Sequence, residues 1–207
     1  MFGSDLTIQL VVMRLIAGVL MATVQGAAIA AATVLLGDKG PRYDGRLTLL
    51  PSRHVDLLGL ASIVLSGFGW SRPVAIETAL LRFGRRGLVI AALAGSVALL
   101  ALGWLLTLLV IPLLTYLPYT AGLTTAAFVR VAARLCVWMA LFTLLPLPPL
   151  AGAHLLTAVG VRLPSSAGLV IGWVLLLASA FGITRMILAP AYDVVAPLLL
   201  GPVLAAG

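Results

Sequence analysis

Charged residues and cysteine are scarce in this chain of 207 residues. Only 9% of the residues are charged, whereas 62% are hydrophobic and the mean hydropathy is +1.20. A soluble domain of this size needs more polar surface than so few charges provide, so the composition predicts an integral membrane protein. The single cysteine, Cys136, excludes an intrachain disulfide and lies in a hydrophobic run, where a buried thiol is expected.

Acidic residues are few, and the basic residues are unevenly distributed. Six acidic residues stand against thirteen basic ones, which gives a net charge of +7. Eight of the thirteen lie in the segment 39–86, between two apolar runs, as the positive-inside rule describes for cytoplasmic segments. This distribution favours a cytoplasmic segment beside a lipid bilayer and argues against nucleic-acid binding. The eight are Lys39, Arg42, Arg46, Arg53, Arg72, Arg82, Arg85 and Arg86.

Long apolar runs are what the sequence does contain, and they predict a single transmembrane domain, 1–207. About 20 apolar residues cross a hydrocarbon core of about 30 Å. The run 55–70 is shorter and contains three glycines, which favours a re-entrant or interfacial segment, and 47–50 is a candidate short strand. The predicted spans are 6–36, 87–117, 123–145 and 166–188, and prolines interrupt a further hydrophobic segment at 190–207.

Small residues recur at every fourth position of the first predicted span. Gly18, Ala22, Gly26 and Ala30 therefore share one helix face, which allows another helix to approach closely. We expect this face to bind a helix, and we take it as the candidate surface for the transmembrane helix of a partner protein.

Arg14, Arg130 and Arg134 lie inside predicted spans, where a charge at the bilayer centre is costly. Arg14 is expected near an interface or paired. Arg130 and Arg134 are one turn apart on one helix, so both are expected to face the bundle, an aqueous cleft or a partner. Their acidic partner is not evident from the sequence.

A proline-rich stretch, 144–154, follows the third predicted span. Pro146, Pro148 and Pro149 cannot continue a helix, because proline lacks the amide donor and its ring clashes with the preceding turn. Irregular backbone at membrane depth persists only where protein or a water-filled cavity satisfies its polar groups. The break therefore marks a candidate site.

Several short motifs together resemble the compact bacterial branch of the site-2 protease family of intramembrane zinc metalloproteases. The resemblance covers roughly residues 24–154, most of the chain. It implies an all-α integral membrane protein with a site-2 protease-like helical core, in a bacterial inner membrane. The motifs are Gly37-Asp38, 45–51, His54-Val55-Asp56, 69–74, 85–87, Ala94-Gly95 and the proline-rich stretch.

The residues that hold zinc and activate water in that family are replaced here. The family has His-Glu-x-x-His twelve residues before the glycine of Gly-Asp, and those positions correspond to Gln25, Gly26 and Ile29. The aspartate ligand corresponds to Ala151. A catalytic zinc site needs three protein ligands and an open position. The family asparagines are likewise replaced, by Thr143 and Leu99 within the site and by Leu50 before Pro51.

The resemblance thus predicts an inactive relative that binds no metal or other cofactor. We expect it to bind transmembrane helices as a scaffold or accessory subunit of a hetero-oligomeric complex. Two alternatives remain open: a protease with a relocated polar site at His54, Asp56 and His154, and a small membrane transporter. Gln25 is most simply a polar residue that bonds across a helix interface.

Overall fold

The computed structural model describes residues 7–161, 164 and 167–201, and they form helices joined by short loops. Between α4 and α5 a single 3-10 turn spans Thr78–Leu80. The helices are α1 (Ile8–Leu35), α2 (Gly40–Tyr43), α3 (Pro51–His54), α4 (Leu57–Ser66), α5 (Arg85–Tyr116), α6 (Tyr119–Thr143), α7 (Ala153–Ala158), α8 (Ala167–Ala180) and α9 (Ile183–Leu200).

Four helices, α1, α5, α6 and α9, are long and apolar enough to cross a membrane, and α4 and α8 are shorter apolar helices. The chain is therefore an all-α membrane protein. Its first three long helices correspond to the predicted spans 6–36, 87–117 and 123–145, with ends that differ by a few residues. The short helix α4 lies within the predicted segment 55–70.

The predicted strand at 47–50 does not form. Within the part of the chain that the structure describes, β pairing is limited to one antiparallel bridge between Val55 and Ser71. Leu49 and Leu50 are exposed, and Pro51 starts α3 directly after them. No second extended segment lies beside 47–50 to complete a ladder, so the β-type sequence pattern has no tertiary support.

The predicted fourth span, 166–188, is wrong in its extent. The chain instead forms two helices, α8 and α9, which are separated at Phe181 and Gly182. Gly182 has a φ of +75°, a left-handed conformation that glycine adopts readily and that ends the first helix. Helix α9 then continues through Pro190 and Pro197, so most of the segment that seemed too interrupted is helical up to residue 200. Residues 202–207 lie outside the described part.

Helices α1, α5 and α6 form the centre of the structure. Helices α5 and α6 approach closely, because a Cβ on Gly103 would lie 3.1 Å from the Cβ of Cys136. The fully buried side chains Met21, Leu99 and Phe142 come from these three helices and pack into one hydrophobic core. The candidate site therefore lies where α1 packs against α5 and α6.

The basic segment is folded against the end of α1 by Asp38. Its Oδ1 accepts a hydrogen bond from the Gly40 amide and its Oδ2 accepts one from the Glu77 amide, both at 2.8 Å. Asp38 is only 2% exposed, so both oxygens are used inside the protein. The Leu36 carbonyl also accepts a bond from the Arg82 amide at 2.8 Å. These bonds hold the start and the end of the segment together.

Candidate functional site

A buried polar contact joins α1 to the end of α6, where the resemblance places the catalytic centre. Gln25 is fully buried, and its Nε2 donates to Oγ1 of Thr143 at 2.8 Å. The Thr143 hydroxyl donates in turn to the Met139 carbonyl at 2.8 Å. Gln25 thus bonds across a helix interface, as the sequence indicated. Its Oε1 has no hydrogen-bond partner.

The proline-rich stretch turns back onto the end of α6. The amide of Gly152 donates to the Thr143 carbonyl at 2.8 Å, and the Leu150 amide donates to the Leu147 carbonyl at 2.9 Å. A Cβ on Gly152 would overlap the carbonyl oxygen of Leu145, so only glycine fits this close approach. The turn brings Ala151 next to α1.

Ile29 and Ala151 border one small cavity together with His154. The cavity has a volume of about 10 Å³, which is room for about one water molecule. Arg72 and Pro149 also line it. The resemblance placed a metal ligand at both Ile29 and Ala151, and the fold does bring these two positions together.

The residues at the ligand positions do not fit zinc. Ile29 and Ala151 carry no donor atom, and the Gln25 amide is already hydrogen-bonded to Thr143. Zinc sites use imidazole, thiolate or carboxylate groups. Among residues 7–161, 164 and 167–201 no three such groups are close enough together to hold a metal ion.

The His54 ring fills the space beside Gly26, the position of the family glutamate. A Cβ on Gly26 would overlap Nδ1 of His54 and would lie 3.0 Å from its Cγ. His54 Nε2 donates to the Thr48 carbonyl at 2.8 Å, which leaves Nδ1 as an acceptor without a partner. Burial lowers the pKa of His54, the hydrogen bond to Thr48 partly opposes this, and the charges of Arg46 and Arg72 lower it further.

The predicted relocated site at His54, Asp56 and His154 is not assembled. His54 packs against α1, whereas Asp56 caps α4 through a 2.8 Å bond from the Gly59 amide. His154 lies on α7, where burial lowers its pKa and a hydrogen bond with the Val74 backbone partly opposes the shift. Each of the three side chains therefore has a separate structural environment.

The small-residue face of α1 is covered by the chain itself, which differs from the prediction that it receives a partner helix. A Cβ on Gly18 would lie 3.0 Å from Leu60 and 3.1 Å from Ile63, both on α4. Gly26 contacts His54, and Ala22 and Ala30 are buried. The pattern indicates close packing correctly but does not identify the helix that packs there.

A second polar site lies two to three turns away along the same helices. Arg14 and Arg134 line a cavity of about 140 Å³ together with Arg185, which the sequence analysis did not single out. Arg130 is exposed and does not line the cavity, so it does not share the environment of Arg134, and its expected contact with a partner stays a prediction. Arg130 lies one turn nearer the start of α6, about 6 Å along the helix axis.

The apolar helices fit a membrane metalloprotease-like family, and a sequence relative is consistent with this. A Bacillus subtilis (strain 168) protein named "Putative zinc metalloprotease YwhC" is 33% identical over 123 residues. The match covers 58% of this chain and 56% of the relative, so the chain spans about half the length of the curated relative it matches. No family model matches the chain. No solved structure matches it either.

Proposed function

We propose that this chain is a catalytically inactive, site-2 protease-like membrane protein that acts by binding other membrane proteins. The similarity to a named metalloprotease supports the protease-like class. The inactivity rests on one observation: the positions expected to ligate zinc carry Gln25, Ile29 and Ala151, and the Gln25 amide bonds to Thr143 instead. Without three ligands, the metal-bound water that such enzymes use has no place to form.

Packing around these positions supports the loss of catalysis. A Cβ on Gly95 would lie 2.8 Å from Ile29 and 2.9 Å from Gln25, so both side chains are pressed against α5. Substrate and water would need open space between the helices here. The side chains that replace the ligands occupy that space as an ordinary helix interface.

The outer surface of α5 supports a scaffold role for the protein. Only 22% of its most hydrophobic stretch is buried within the chain, so most of the helix contacts lipid or other helices. Trp104 and Ile111 are exposed on it. We place the transmembrane helix of an accessory partner on this outer surface, since the small-residue face of α1 is already covered. The basic segment 39–86 then faces the cytoplasm at the bacterial inner membrane.

Two measurements on the purified protein test the inactivity. We expect elemental analysis to find far less than one zinc per chain, and we expect no cleavage of a transmembrane peptide. Because all three ligand positions are replaced, adding zinc should produce neither bound metal nor peptide cleavage. One tightly held zinc per chain would contradict the proposal, and peptide cleavage abolished by a chelator would contradict it independently.

The binding role needs a separate experiment. The full chain is isolated from native membranes in a mild detergent, and co-eluting proteins are identified by mass spectrometry. A variant with Trp104→Ala and Ile111→Ala on α5 should lose the partner and elute later, as a folded chain alone. A monomer that carries no partner would contradict the scaffold role and leave the inactivity intact.

The relative's name favours a second candidate, a protease with an altered metal site. His54 is the residue to test, because its Nδ1 is buried and unpartnered beside Gly26. In this case His54→Ala would abolish both metal content and cleavage, whereas His154→Ala, on α7 and in a separate environment, would leave them unchanged.

A further inference from the structure

The arginine-lined cavity between α1, α6 and α9 is larger than the cavity at the replaced catalytic site. It has a volume of about 140 Å³, several times the space that one water molecule needs. Its polar wall consists of Arg14, Arg134 and Arg185. Leu10 and Val131 form part of its apolar wall. A cavity with three cations and an apolar rim fits an amphiphilic anion.

Among the residues that the structure describes, no carboxylate lines this cavity. Four of the six acidic residues lie between 38 and 77, at the opposite end of α1. Asp193 is exposed on α9 and does not line the cavity, and Asp5 lies outside the described residues. Within the described ranges none of the three arginines forms an ion pair. Arg14 and Arg185 therefore repel each other, and no described carboxylate pairs with either of them.

Two arginines are held in place by weaker partners. Arg14 donates from Nη1 to the carbonyls of Val64 and Leu65 at 3.1 and 3.2 Å, at the end of α4. Arg185 lies over the ring of Trp138, with its Cζ 5.5 Å from the ring centroid. These contacts orient the guanidinium groups around the cavity but supply no negative charge, so further donors remain for a ligand.

The position of Arg134 makes this unbalanced charge costly. Arg134 is fifteen residues from the start of α6 at Tyr119, which corresponds to about 22 Å along the helix. Arginine within a membrane-spanning helix is unfavourable unless it is paired or hydrated, and such a residue commonly marks a site. An anion in the cavity would offset the repulsion and the loss of hydration together.

A buried hydroxyl beside the cavity also lacks a partner. Tyr192 is 6% exposed, its hydroxyl has no hydrogen bond, and its ring stacks on Trp138 with centroids 3.9 Å apart. The charges of Arg134, Arg185 and Asp193 all act on this hydroxyl. Tyr192 does not itself line the cavity, but its ring stacks on Trp138, which does, so an unpaired donor lies directly behind the cavity wall.

We propose that this cavity binds the headgroup phosphate of an anionic phospholipid. Guanidinium groups match phosphate oxygens by paired, charge-assisted hydrogen bonds. Leu10 and Val131 in the apolar wall are partly exposed on the spanning helices α1 and α6, where acyl chains lie. A lipid satisfies both walls, whereas a free phosphate ester satisfies only the polar one.

Native mass spectrometry of the full chain in mild detergent tests this proposal. The wild type is compared with Arg134→Gln and Arg185→Gln, and with the matched control Arg130→Gln, which removes an exposed arginine one turn away on α6. Each is offered phosphatidylglycerol, phosphatidylcholine or inorganic phosphate. We expect the wild type and Arg130→Gln to retain phosphatidylglycerol about tenfold better than phosphatidylcholine, and the two cavity variants to lose most of that preference.

Three results would overturn the proposal. In the first, Arg134→Gln and Arg185→Gln retain the lipid as the wild type does, or Arg130→Gln loses it equally. In the second, inorganic phosphate binds as well as the lipid, which identifies a free anion as the ligand. In the third, a protein with an acidic transmembrane residue co-purifies and is lost in the cavity variants. Arg185→Gln at the exposed start of α9 keeps the test valid if Arg134→Gln does not fold.

Discussion

Helices α1 and α6 carry two polar sites that differ in how their polar groups are satisfied. At one site Gln25 bonds to Thr143 and the chain's own side chains fill the surrounding space. At the other, Arg14 and Arg134 line an open cavity without a carboxylate. The sites are separated by eleven residues on α1 and nine on α6, which is about 16 and 14 Å.

The inner site shows which positions resemble the family, whereas the cavity shows where charged groups are available to a ligand. The inner site retains the positions that the family uses, yet Gln25, Ile29 and Ala151 at those positions are uncharged, and the Gln25 oxygen and His54 Nδ1 lack a hydrogen bond there. The cavity has no counterpart in the motifs that carry the resemblance, yet it holds three charges that no described carboxylate pairs. Uncompensated charge inside a membrane helix is the stronger indication of a ligand.

The largest expected effect comes from restoring the metal ligands at the inner site. Ile29 and Ala151 already border one cavity, and Gln25 lies one turn before Ile29 on α1. Introducing Gln25→His, Ile29→His and Ala151→Asp together should therefore create a site that keeps one zinc per chain through gel filtration, as measured by elemental analysis. A control with Ile29 unchanged should lose the metal. A folded triple variant that retains no zinc would show that the three positions are too far apart to form a metal site.

The second prediction concerns the contact between Gly26 and His54. A Cβ at residue 26 would overlap the His54 ring, and backbone and ring cannot both keep their positions. Gly26→Ala should lower the free energy of unfolding by about 3 kcal/mol, measured by denaturation in detergent.

A matched control for this change is Gly168→Ala on α8. There the nearest atom to a new Cβ is 4.0 Å away, so the substitution should be neutral or slightly stabilising. In a His54→Ala background, Gly26→Ala should lower the free energy of unfolding far less than it does in the wild type, because the ring that the new Cβ would overlap is absent. Equal effects of the two glycine substitutions would contradict the close contact.

The third prediction is a loss of stability in mild acid. Burial lowers the pKa of both His54 and His154, so the unfolded chain binds protons more readily than the folded one. The free energy of unfolding is therefore unaffected by these histidines above the unfolded pKa of about 6.5. It decreases as the pH falls below that value, by at most about 1.4 kcal/mol per pH unit for each histidine. Thermal unfolding at pH 7.5 and 5.5 measures this. His54→Gln should reduce the pH dependence, and an unchanged profile in that variant would exclude His54 as a source.

The smallest expected effect is that of Gln25→Leu. The substitution removes the 2.8 Å bond to Thr143, but Thr143 keeps its bond to the Met139 carbonyl and the unpartnered Oε1 disappears. Hydrogen bonds between membrane helices contribute about 0.6 kcal/mol on average. A change in unfolding free energy below about 1 kcal/mol is expected, and a loss of several kcal/mol would show that the contact is more than a local interface bond.

Three of the four long helices were predictable because apolar runs determine them directly. Helices α1, α5 and α6 follow from composition and length alone. The break between α8 and α9 was missed, because Gly182 lies in a continuous apolar run and a single glycine is also tolerated inside helices. The strand at 47–50 was predicted wrongly because strand formation depends on a neighbouring strand, which the local sequence does not reveal.

The inner site was predictable only through the resemblance, which placed Gln25 and Thr143 in one centre although 118 residues separate them. Periodicity alone gives the face of a helix but not the helix that covers it, so Gly18 and Gly26 were assigned to a partner. Two of the three arginines that line the cavity, Arg14 and Arg134, were singled out from the sequence. Arg185 follows Gly182, and its approach to Trp138 depends on the turn that the sequence did not show.

Trp138 gives the cavity a natural optical reporter. Its indole lies under Arg185, stacks on Tyr192 and meets Phe68 edge-on at 5.2 Å, so its excited state senses whatever enters beside these groups. The chain has only three other tryptophans, of which Trp70 is buried and Trp104 and Trp173 are exposed on the outside. Replacing those three with phenylalanine leaves a single emitter whose colour and lifetime report filling of the cavity without any added dye.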